Sequence, residues 1–324
     1  MSDQTPLVAP PKKRGRLYAL IALAVVVVIA LVVGITLAVT SGNTSSDAAA
    51  GDNSITEGKG SPGDPITIGV VGASDPYWDV YKDAAADAGI SIELVDFTDY
   101  AQPNPALTEG DLDLNQFQHI IYLAQYNVSA DQDLTPVGAT AIYPLGLYST
   151  KYTSVDDIQA GETVAVPSDA SNLARGLLVL QAAGLIELAD GGSPFSTLDD
   201  VLDSSKVKVI SLEAALTPTS LPDVAAAIIN NDFVEDAGLT FDDAIATDDP
   251  ADESAQPYIN IFAARAEDKD NATFLELVDI FQSTSAVTDG LLETSGDTAV
   301  LVKTPVGELE DSLATVQDAY AKQQ

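Results

Sequence analysis

Cysteine is absent from this sequence of 324 residues. Its absence excludes disulfides, thiolate metal sites and a cysteine nucleophile, and it excludes a lipid attached to a cysteine side chain. Histidine is nearly absent too, because His119 is the only imidazole. A hydrolase needs a nucleophile next to a base, and no serine lies in a GxSxG-type turn. We therefore predict that the protein is not an enzyme and that it carries no cofactor and no metal.

Basic residues are scarce, since 14 lysines and arginines stand against 49 aspartates and glutamates. Four of the basic residues and one acid precede residue 17, which leaves 10 basic and 48 acidic residues, a formal charge of −38. Nucleic acids and anionic lipid surfaces bind to basic patches on proteins. We therefore predict no nucleic-acid partner.

A long uncharged run, Leu17–Thr40, follows a basic segment near the N-terminus. As a helix its 24 residues would rise about 36 Å, enough to cross a hydrocarbon core of ~30 Å. The apolar region of a secretory signal is shorter, about 7–15 residues. We predict a cytoplasmic tail at 1–16, a single-pass cell-membrane anchor at 17–40 and an extracellular binding domain, because basic residues precede the run and acids follow it. Cleavage within residues 48–50, which would release a secreted domain, is the less favoured alternative.

The rest of the chain divides into a polar segment and a region of alternating elements. Residues 41–64 are rich in Ser, Gly, Asp and Asn, a composition typical of flexible linkers. Residues 65–324 are enough for one large domain or two linked lobes. Predicted strands are Ile66–Val71, Ile92–Phe97, Asp113–Phe117, Thr163–Pro167, Val207–Leu212, Val224–Ile229 and Tyr258–Ala264, and predicted helices are Pro76–Ala88, His119–Tyr126, Ser171–Ala183, Ala272–Ser283 and Val306–Gln323. This alternation predicts an α/β fold with a mainly parallel sheet, in which ligands bind at the carboxyl ends of strands.

Aromatic residues make up only 6% of the chain, yet several lie close to its single histidine. Tyr100, Phe117 and Tyr122 accompany His119 within residues 97–122. Aromatic faces beside an imidazole can line an apolar slot that ends in polar groups, which is typical of a small-ligand pocket. A core cluster packed around a hydrogen-bonded histidine explains this segment equally well.

A second candidate group follows the predicted strand Thr163–Pro167. Asn172 and Arg175 lie three residues apart, hence on one face of the first helical turn, and the start of a helix favours an anion. Arginine grips a carboxylate with its planar fork, and Arg175 is one of only two arginines after residue 17, which favours a ligand role over a solvated side chain. Asn230 follows the apolar run Val224–Ile229, where an amide can orient an ammonium or a carboxylate, although a helix N-cap explains it equally well.

Several motifs, taken in order, resemble the landmarks of one family. They are FTDYAQPNPAL at 97–107, GDLDLNQFQHIIYL at 110–123, PSDASNLARGLLVLQAAGLI at 167–186, AAIINNDFVEDAGL at 226–239 and PYINIFAAR at 257–265. Their order and spacing resemble those of the methionine-binding lipoproteins, the MetQ/NlpA-type receptors of bacterial ABC importers, across roughly residues 65–324.

The resemblance implies an α/β, two-lobed, type II periplasmic-binding-protein fold that closes on its ligand. Lobe 1 would comprise about 65–145 and 258–324, and lobe 2 about 146–257. The family's ligand contacts would place Tyr100, Phe117, His119 and Tyr122 around a methionine side chain, Asn172 and Arg175 on the α-carboxylate, and Asn230 on the amino-acid head group.

The function that the resemblance implies is solute binding for an ABC importer. The chain would bind L- or D-methionine, a related amino acid or a methionyl peptide and deliver it to a permease driven by an ATPase. A membrane-tethered amino-acid sensor or a surface adhesin with the same fold is the alternative.

The chain also departs from the family pattern. The lipid-bearing cysteine is missing, so the helix at 17–40 would replace it as the anchor. Asp232 lies in a segment that usually reads INTNY, and it would add negative charge near the cleft mouth. Residues 248–253, DDPADE, are expected to form a solvated acidic loop.

Overall fold

The computed structural model of the protein describes residues 54–324. The predicted cytoplasmic tail, the predicted membrane anchor and residues 41–53 of the predicted linker lie outside this part of the chain. Within residues 54–324, no helix combines the length and the apolar character that crossing a bilayer requires.

Residues 54–64 differ from the flexible linker that their composition predicts. Ile55 is partly buried against the core of the first lobe, and its N–H donates to the carbonyl of Gly89 at 2.8 Å. The N–H of Ser91 donates to the carbonyl of Gly60 at 2.7 Å, and Lys59 forms an ion pair with Asp113 at 2.9 Å. Apolar packing, backbone hydrogen bonds and an ion pair together hold this stretch against the domain.

Strands and helices alternate along the described chain, as predicted. The strands are β1 (Ile66–Val71), β2 (Ile92–Phe97), β3 (Leu114–His119), β4 (Thr135–Ala139), β5 (Ala141–Ile142), β6 (Gly146–Tyr148), β7 (Thr163–Pro167), β8 (Lys208–Leu212), β9 (Ala226–Ile229), β10 (Ala246–Thr247), β11 (Asn260–Ala264) and β12 (Val300–Leu301). The helices are α1 (Pro76–Asp87), α2 (Pro103–Glu109), α3 (Ile120–Ala130), α4 (Ala170–Ala182), α5 (Thr217–Ser220), α6 (Ala272–Ser283), α7 (Ser285–Thr294) and α8 (Val306–Ala321), with short 3₁₀ turns between them.

The first sheet has the strand order β2-β1-β3-β11-β4. Strands β1, β2 and β3 are parallel, whereas β11 is antiparallel to both of its neighbours. The antiparallel strand was not predicted. It arises because β11 enters the sheet where β3 ends, with Asn260 paired to His119.

The second sheet, in the order β10-β6-β9-β7-β8, repeats this arrangement. Strands β7, β8 and β9 are parallel, and β6 enters antiparallel at the end of β9, with Gly146 paired to Ile229. In both sheets, the strand that arrives from the other lobe begins at the carboxyl ends of the parallel strands. The chain therefore crosses between two lobes at the edges where such sheets bind ligands.

Apolar side chains form separate cores within each lobe and one cluster that the two lobes share. Helices α1, α6 and α7 cover one face of the first sheet, and α3 and α8 cover the other. Helix α4 covers the second sheet. A fourth cluster spans both lobes, because Tyr100 and Phe117 of the first pack with Tyr148, Ile229 and Phe233 of the second. The protein thus has a two-lobed α/β fold with its lobes in contact.

Two element boundaries differ from those predicted from the sequence. Strand β3 runs on to His119, and α3 begins at Ile120, because the histidine serves as the N-cap. Tyr258 was predicted at the start of a strand, but it ends a 3₁₀ turn, and β11 begins at Asn260. Both shifts occur at the crevice between the lobes.

Candidate ligand-binding site

The candidate site lies between the lobes, at the carboxyl ends of β3, β7 and β9. A small cavity of about 20 Å³ is found there. It is lined by every residue that the sequence analysis singled out: Tyr100, Phe117, His119, Tyr122, Asn172, Arg175 and Asn230. Residues from four separate parts of the chain therefore converge on one place.

Three aromatic rings of the first lobe form one wall of the cavity. The ring centroids of Tyr100 and Phe117 are 6.0 Å apart, and those of Phe117 and Tyr122 are 5.7 Å apart in an edge-to-face arrangement. The hydroxyl of Tyr122 donates to the backbone carbonyl of Tyr100 at 2.9 Å, which ties the first turn of α3 to the loop between β2 and α2. The Phe117–Tyr122 pair has an edge-to-face geometry that aromatic pairs prefer, so packing between the rings supports the apolar wall.

His119 closes this wall and is only 7% exposed. Burial, helped by the positive charge of Arg175, lowers its pKa to about 3, so the imidazole is neutral. Its Nδ1 accepts the backbone N–H of Tyr122 at 3.2 Å, which assigns the ring proton to Nε2. That Nε2–H points to Oδ1 of Asn172 in the second lobe at 3.4 Å. The histidine therefore caps a helix on one side and contacts the opposite lobe on the other.

Arg175 brings a charged group to the polar end of the cavity. Its Nε donates to Oδ2 of Asp248 at 2.6 Å, and its Nη2 donates to the carbonyl of Tyr143 at 2.8 Å. Its guanidinium carbon lies 4.3 Å from the centre of the Tyr258 ring. Among the described residues, Nη1 has no hydrogen-bond partner, so this buried cation keeps donors for an anion.

Asp248 and Tyr258 are site residues that the sequence analysis missed. Asp248 was predicted to lie in a solvated acidic loop, but it pairs with Arg175 and also accepts the N–H of Leu145 at 2.7 Å through Oδ1. Tyr258 lies edge-on to His119, with ring centroids 5.3 Å apart, and face-on to Arg175. Asp248 lies 73 positions from the arginine that it orients, and Tyr258 is also distant in sequence from His119 and Arg175. No local sequence pattern therefore indicates these contacts.

Amides connect the two strand ends of the second lobe. Asp169, the N-cap of α4, accepts the backbone N–H of Asn172 at 2.9 Å and its Nδ2 at 3.0 Å. Asn172 in turn accepts Nδ2 of Asn230 at 3.1 Å. Oδ1 of Asn230 is buried and has no partner among the described residues. Such an acceptor costs about 1–3 kcal/mol unless a donor reaches it, and an ammonium group is one such donor.

Asp232 lies at the mouth of the cavity and contacts the first lobe. Its Oδ2 accepts the hydroxyl of Tyr100 at 2.7 Å, and its Oδ1 accepts Nδ2 of Asn231 at 2.5 Å. Desolvation by the surrounding protein raises the pKa of this carboxyl to about 7, and the nearby Asp75 adds to the shift. The side chain is nevertheless exposed to water on the crevice side. The carboxyl of Asp232 therefore takes up a proton more readily than an ordinary aspartate, and near pH 7 it carries only part of the negative charge expected at the cleft mouth.

The chain resembles proteins that bind methionine. A model of the NlpA lipoprotein family matches residues 66–301. The D-methionine-binding lipoprotein MetQ of Escherichia coli (strain K12) is 41% identical over 224 residues, which cover 67% of this chain and 81% of that protein.

Two solved structures are similar to this chain in both fold and sequence. The substrate binding protein of a methionine transporter from Streptococcus pneumoniae is 32% identical with a TM-score of 0.68, covering 74% of this chain and 95% of that one. A nutrient binding protein from Burkholderia cenocepacia bound to methionine is 36% identical with a TM-score of 0.68. The match covers 73% of this chain and 99% of that one.

These relatives correct one prediction from the sequence. The single-pass cell-membrane placement, with a cytoplasmic N-terminus and an extracellular binding domain, is wrong, because the relatives are lipoproteins, which a lipid anchors. The predicted membrane span lies outside the described residues. That prediction depended on the length and the flanking charges of an uncharged run in the sequence.

Proposed function

We propose that this chain, which belongs to the NlpA lipoprotein family, is the solute-binding component of an ABC importer and captures methionine. It is a binding protein and not an enzyme. Its partners are a small amino-acid ligand and the permease of the importer, with an ATPase on the permease. The Streptococcus pneumoniae relative is the substrate binding protein of a methionine transporter, which favours this role over the sensor or adhesin alternative.

The convergence of the predicted residues on one cavity carries the proposal. The free Nη1 of Arg175 would bind the α-carboxylate of the ligand, and Oδ1 of Asn230 would accept its ammonium. The ring wall would take the side chain, since a polarizable thioether makes favourable contacts with ring edges. Asp248 orients the guanidinium through its 2.6 Å contact with Nε.

The cavity is too small for methionine while the lobes are closed. A volume of about 20 Å³ has room for about one water molecule. Ligand entry therefore requires the lobes to part, which is the hinge motion of two-lobed binding proteins. The repeated 2-1-3 order of parallel strands next to an antiparallel crossing strand supports the type II variant of the fold. We place the hinge in the two crossing segments, near residues 143–146 and 258–260.

Thermal unfolding and calorimetric titration of the full-length protein test the proposal. L-methionine and D-methionine, each added separately, should raise the melting temperature through preferential binding to the folded state, whereas L-leucine should do so far less. Failure of both methionine enantiomers to shift the melting temperature would exclude methionine as the ligand.

A pair of matched variants separates the site from general stability. Arg175→Lys keeps the charge but loses the planar fork, and we expect it to weaken methionine binding by about 1.5–3 kcal/mol, the value of a hydrogen bond to a charged group. Arg265→Lys changes the other described arginine, which hydrogen-bonds to the carbonyls of Leu107 and Leu112 away from the cavity. Methionine affinity should survive Arg265→Lys, and equal losses in both variants would contradict the assignment of Arg175.

A further inference from the structure

A larger cavity adjoins the ring-lined one. Its volume is about 320 Å³, and Tyr143, Asn231 and Asp232 line both cavities. One wall comes from the first lobe and includes Asp75, the N-cap residue of α1, and the opposite wall comes from the second lobe and includes Glu235. The hinge motion proposed above would therefore separate the two walls, and closure brings them together.

Carboxylates line both walls of this acidic cavity. Asp75 and Asp96 belong to the first lobe, and Asp232, Glu235 and Asp236 belong to the second. No lysine or arginine of the described chain lines the cavity, and all its other wall residues, including those from α7, are uncharged. Closure of the lobes therefore brings like charges together without a positive counter-charge.

Asp75 is a carboxylate that the protein leaves without a partner. Its side chain forms no ion pair and no hydrogen bond within residues 54–324, and it makes no capping bond to α1. Burial raises its pKa to about 6, and the charges of Glu235 across the crevice and of Asp96 on β2 add to the shift. A proton on Asp75 would therefore relieve a cost that closure creates.

Asp232 is the second carboxyl whose charge the closed lobes disfavour. Its Oδ2 accepts the hydroxyl of Tyr100 from the first lobe at 2.7 Å. Hydrogen bonds from Tyr100 and Asn231 favour the charged form, but they offset only part of the desolvation that, with the charge of Asp75, raises the pKa to about 7. A contact between the lobes thus involves a carboxyl that protonates easily.

Two tyrosine hydroxyls of this cavity have no partner. Tyr77 is only 7% exposed, and its hydroxyl makes no hydrogen bond within residues 54–324. The charges of Asp75 and Asp232 act on Tyr77 and also on Tyr143, whose hydroxyl is likewise without a partner in that range. A protonated carboxyl is a hydrogen-bond donor, and a hydroxyl oxygen can accept from it. The cavity therefore holds acceptors for a proton on either carboxyl.

The other titratable groups near these carboxyls respond less to closure. His119 has a pKa of about 3, so it stays neutral above pH 5, and Arg175 is already ion-paired. Asp169, whose charge acts on Tyr100, caps α4 within the second lobe, so parting of the lobes leaves its capping bond in place. The surroundings of Asp75 and Asp232 are therefore the ones that closure changes most.

We propose that the acidic cavity binds a proton when the lobes close, so that methionine capture takes up a proton and the complex becomes weaker as the pH rises. The proton comes from the solvent and is held on a carboxyl oxygen of Asp75 or Asp232, where a tyrosine hydroxyl accepts its hydrogen bond. This inference rests on the proposed methionine function, and it gives a role to side chains that line only the acidic cavity.

The sign of the pH dependence follows from the two states of the lobes. Opening returns both carboxyls to water, where an aspartate has a pKa of about 3.9. Closure raises the pKa of Asp75 to about 6 and that of Asp232 to about 7. Affinity for methionine is therefore highest at acidic pH and falls as the pH rises toward these two values, since a raised pKa favours the closed state only while the proton is bound.

Calorimetric titration of the full-length protein with L-methionine tests this coupling. The ligand remains a zwitterion between about pH 5.5 and about pH 8, so its own charge does not change. We expect binding to be at least about fivefold tighter at the lower pH. Titrations at about pH 6.5 in two buffers of different ionisation enthalpy should show a net uptake of protons.

The outcomes separate this inference from the methionine function. Binding of L-methionine with equal affinity at both pH values, with weaker affinity at the acidic one, or without proton uptake would overturn the proton site and leave the methionine function standing. Failure of L-methionine to bind at either pH would overturn both proposals.

A matched pair of variants tests the role of Asp75. Asp75→Asn keeps a residue suited to the N-cap and removes one of the opposed charges. It should bind L-methionine about threefold more tightly than the parent at about pH 8 and take up fewer protons. Asp87→Asn, an exposed position at the end of the same helix, should change neither quantity. An Asp75→Asn protein with the affinity and the proton uptake of the parent would overturn the assignment.

Discussion

At the scale of single residues, the site depends on charges held out of water by specific partners. Arg175 is 5% exposed and needs Asp248, whose carboxylate lies 2.6 Å from Nε. His119 is buried beside that cation and stays neutral. The acceptor of Asn230 and the free donor of Arg175 are the groups that remain for a ligand. Burial thus gives His119 a protonation state that an isolated peptide would not give it near pH 6.

The neutral state of His119 is directly measurable, because the chain has no other histidine. Its pKa of about 3 predicts that the imidazole resonances do not titrate between pH 8 and pH 5 in NMR spectra of the folded protein. The unfolded chain protonates near its usual value of about 6.5. Stability from the neutral ring is therefore present above pH 6.5 and is lost as the pH falls toward 3. A midpoint near 6.5 in the folded protein would contradict the burial of this ring.

The pairing of Asp248 with Arg175 gives a second prediction. Asp248→Asn keeps the side-chain shape but removes the charge partner of a buried guanidinium, and we expect a loss of about 1–2 kcal/mol in unfolding free energy. Methionine affinity should also fall, because the fork is no longer held in place. Urea unfolding and calorimetry measure the two effects. Asp249→Asn next to it serves as the control, and equal losses there would show that the acidic loop acts as a whole.

At the scale of elements, close packing of helices on the first sheet sets the shape of the lobe. Strand β4 lies under helix α6, and a side chain at Gly138 would overlap Val278. Strand β11, next to β4, carries the chain back from the second lobe at the crevice. The glycine therefore lets a helix approach the part of the sheet that supports the hinge.

Gly138→Ala should destabilise the protein by about 1–3 kcal/mol, because the added methyl group forces a shift between β4 and α6. Gly307→Ala near the start of α8 meets no atom within 4 Å, and it should be neutral or stabilising by up to about 1 kcal/mol. Thermal unfolding of both variants measures the difference. Similar melting temperatures would mean that the helix moves freely over the sheet.

At the scale of the whole molecule, the closed state is held by contacts between the lobes. Tyr100 donates to Asp232 across the crevice at 2.7 Å, and Nε2 of His119 faces Asn172 at 3.4 Å. The shared apolar cluster adds to these polar contacts. The lobes are thus closed by side chains that also line the two cavities, so ligand binding and closure use the same groups.

Tyr100→Phe should accelerate ligand release several-fold, because it keeps the ring wall but removes the hydrogen bond between the lobes. Stopped-flow displacement of bound methionine measures this rate. Tyr126→Phe is the matched control, since its hydroxyl bonds to Thr108 within the first lobe at 2.9 Å. Equal release rates in Tyr100→Phe and the parent protein would show that this contact does not limit opening.

Much of the fold follows from local pattern. Strands β1, β2 and β7 and helix α6 have the predicted bounds, because β-branched runs and amphipathic periodicity act over a few neighbouring residues. The crossing strands β6 and β11 run antiparallel to the strands beside them, and no local pattern indicates their direction. Strand direction depends on which end of the sheet the returning chain reaches.

The amino-acid sequence by itself determined the alternating α/β class, the acidic surface and the motifs whose residues line the smaller cavity. Only the tertiary structure decided that Asp248 orients Arg175, that Tyr258 lies against both Arg175 and His119, and that an acidic cavity adjoins the ring-lined one. The physical reason is distance along the chain. Composition and periodicity record interactions between near neighbours, whereas charge pairing and cavities depend on side chains that meet only after both lobes have folded and closed.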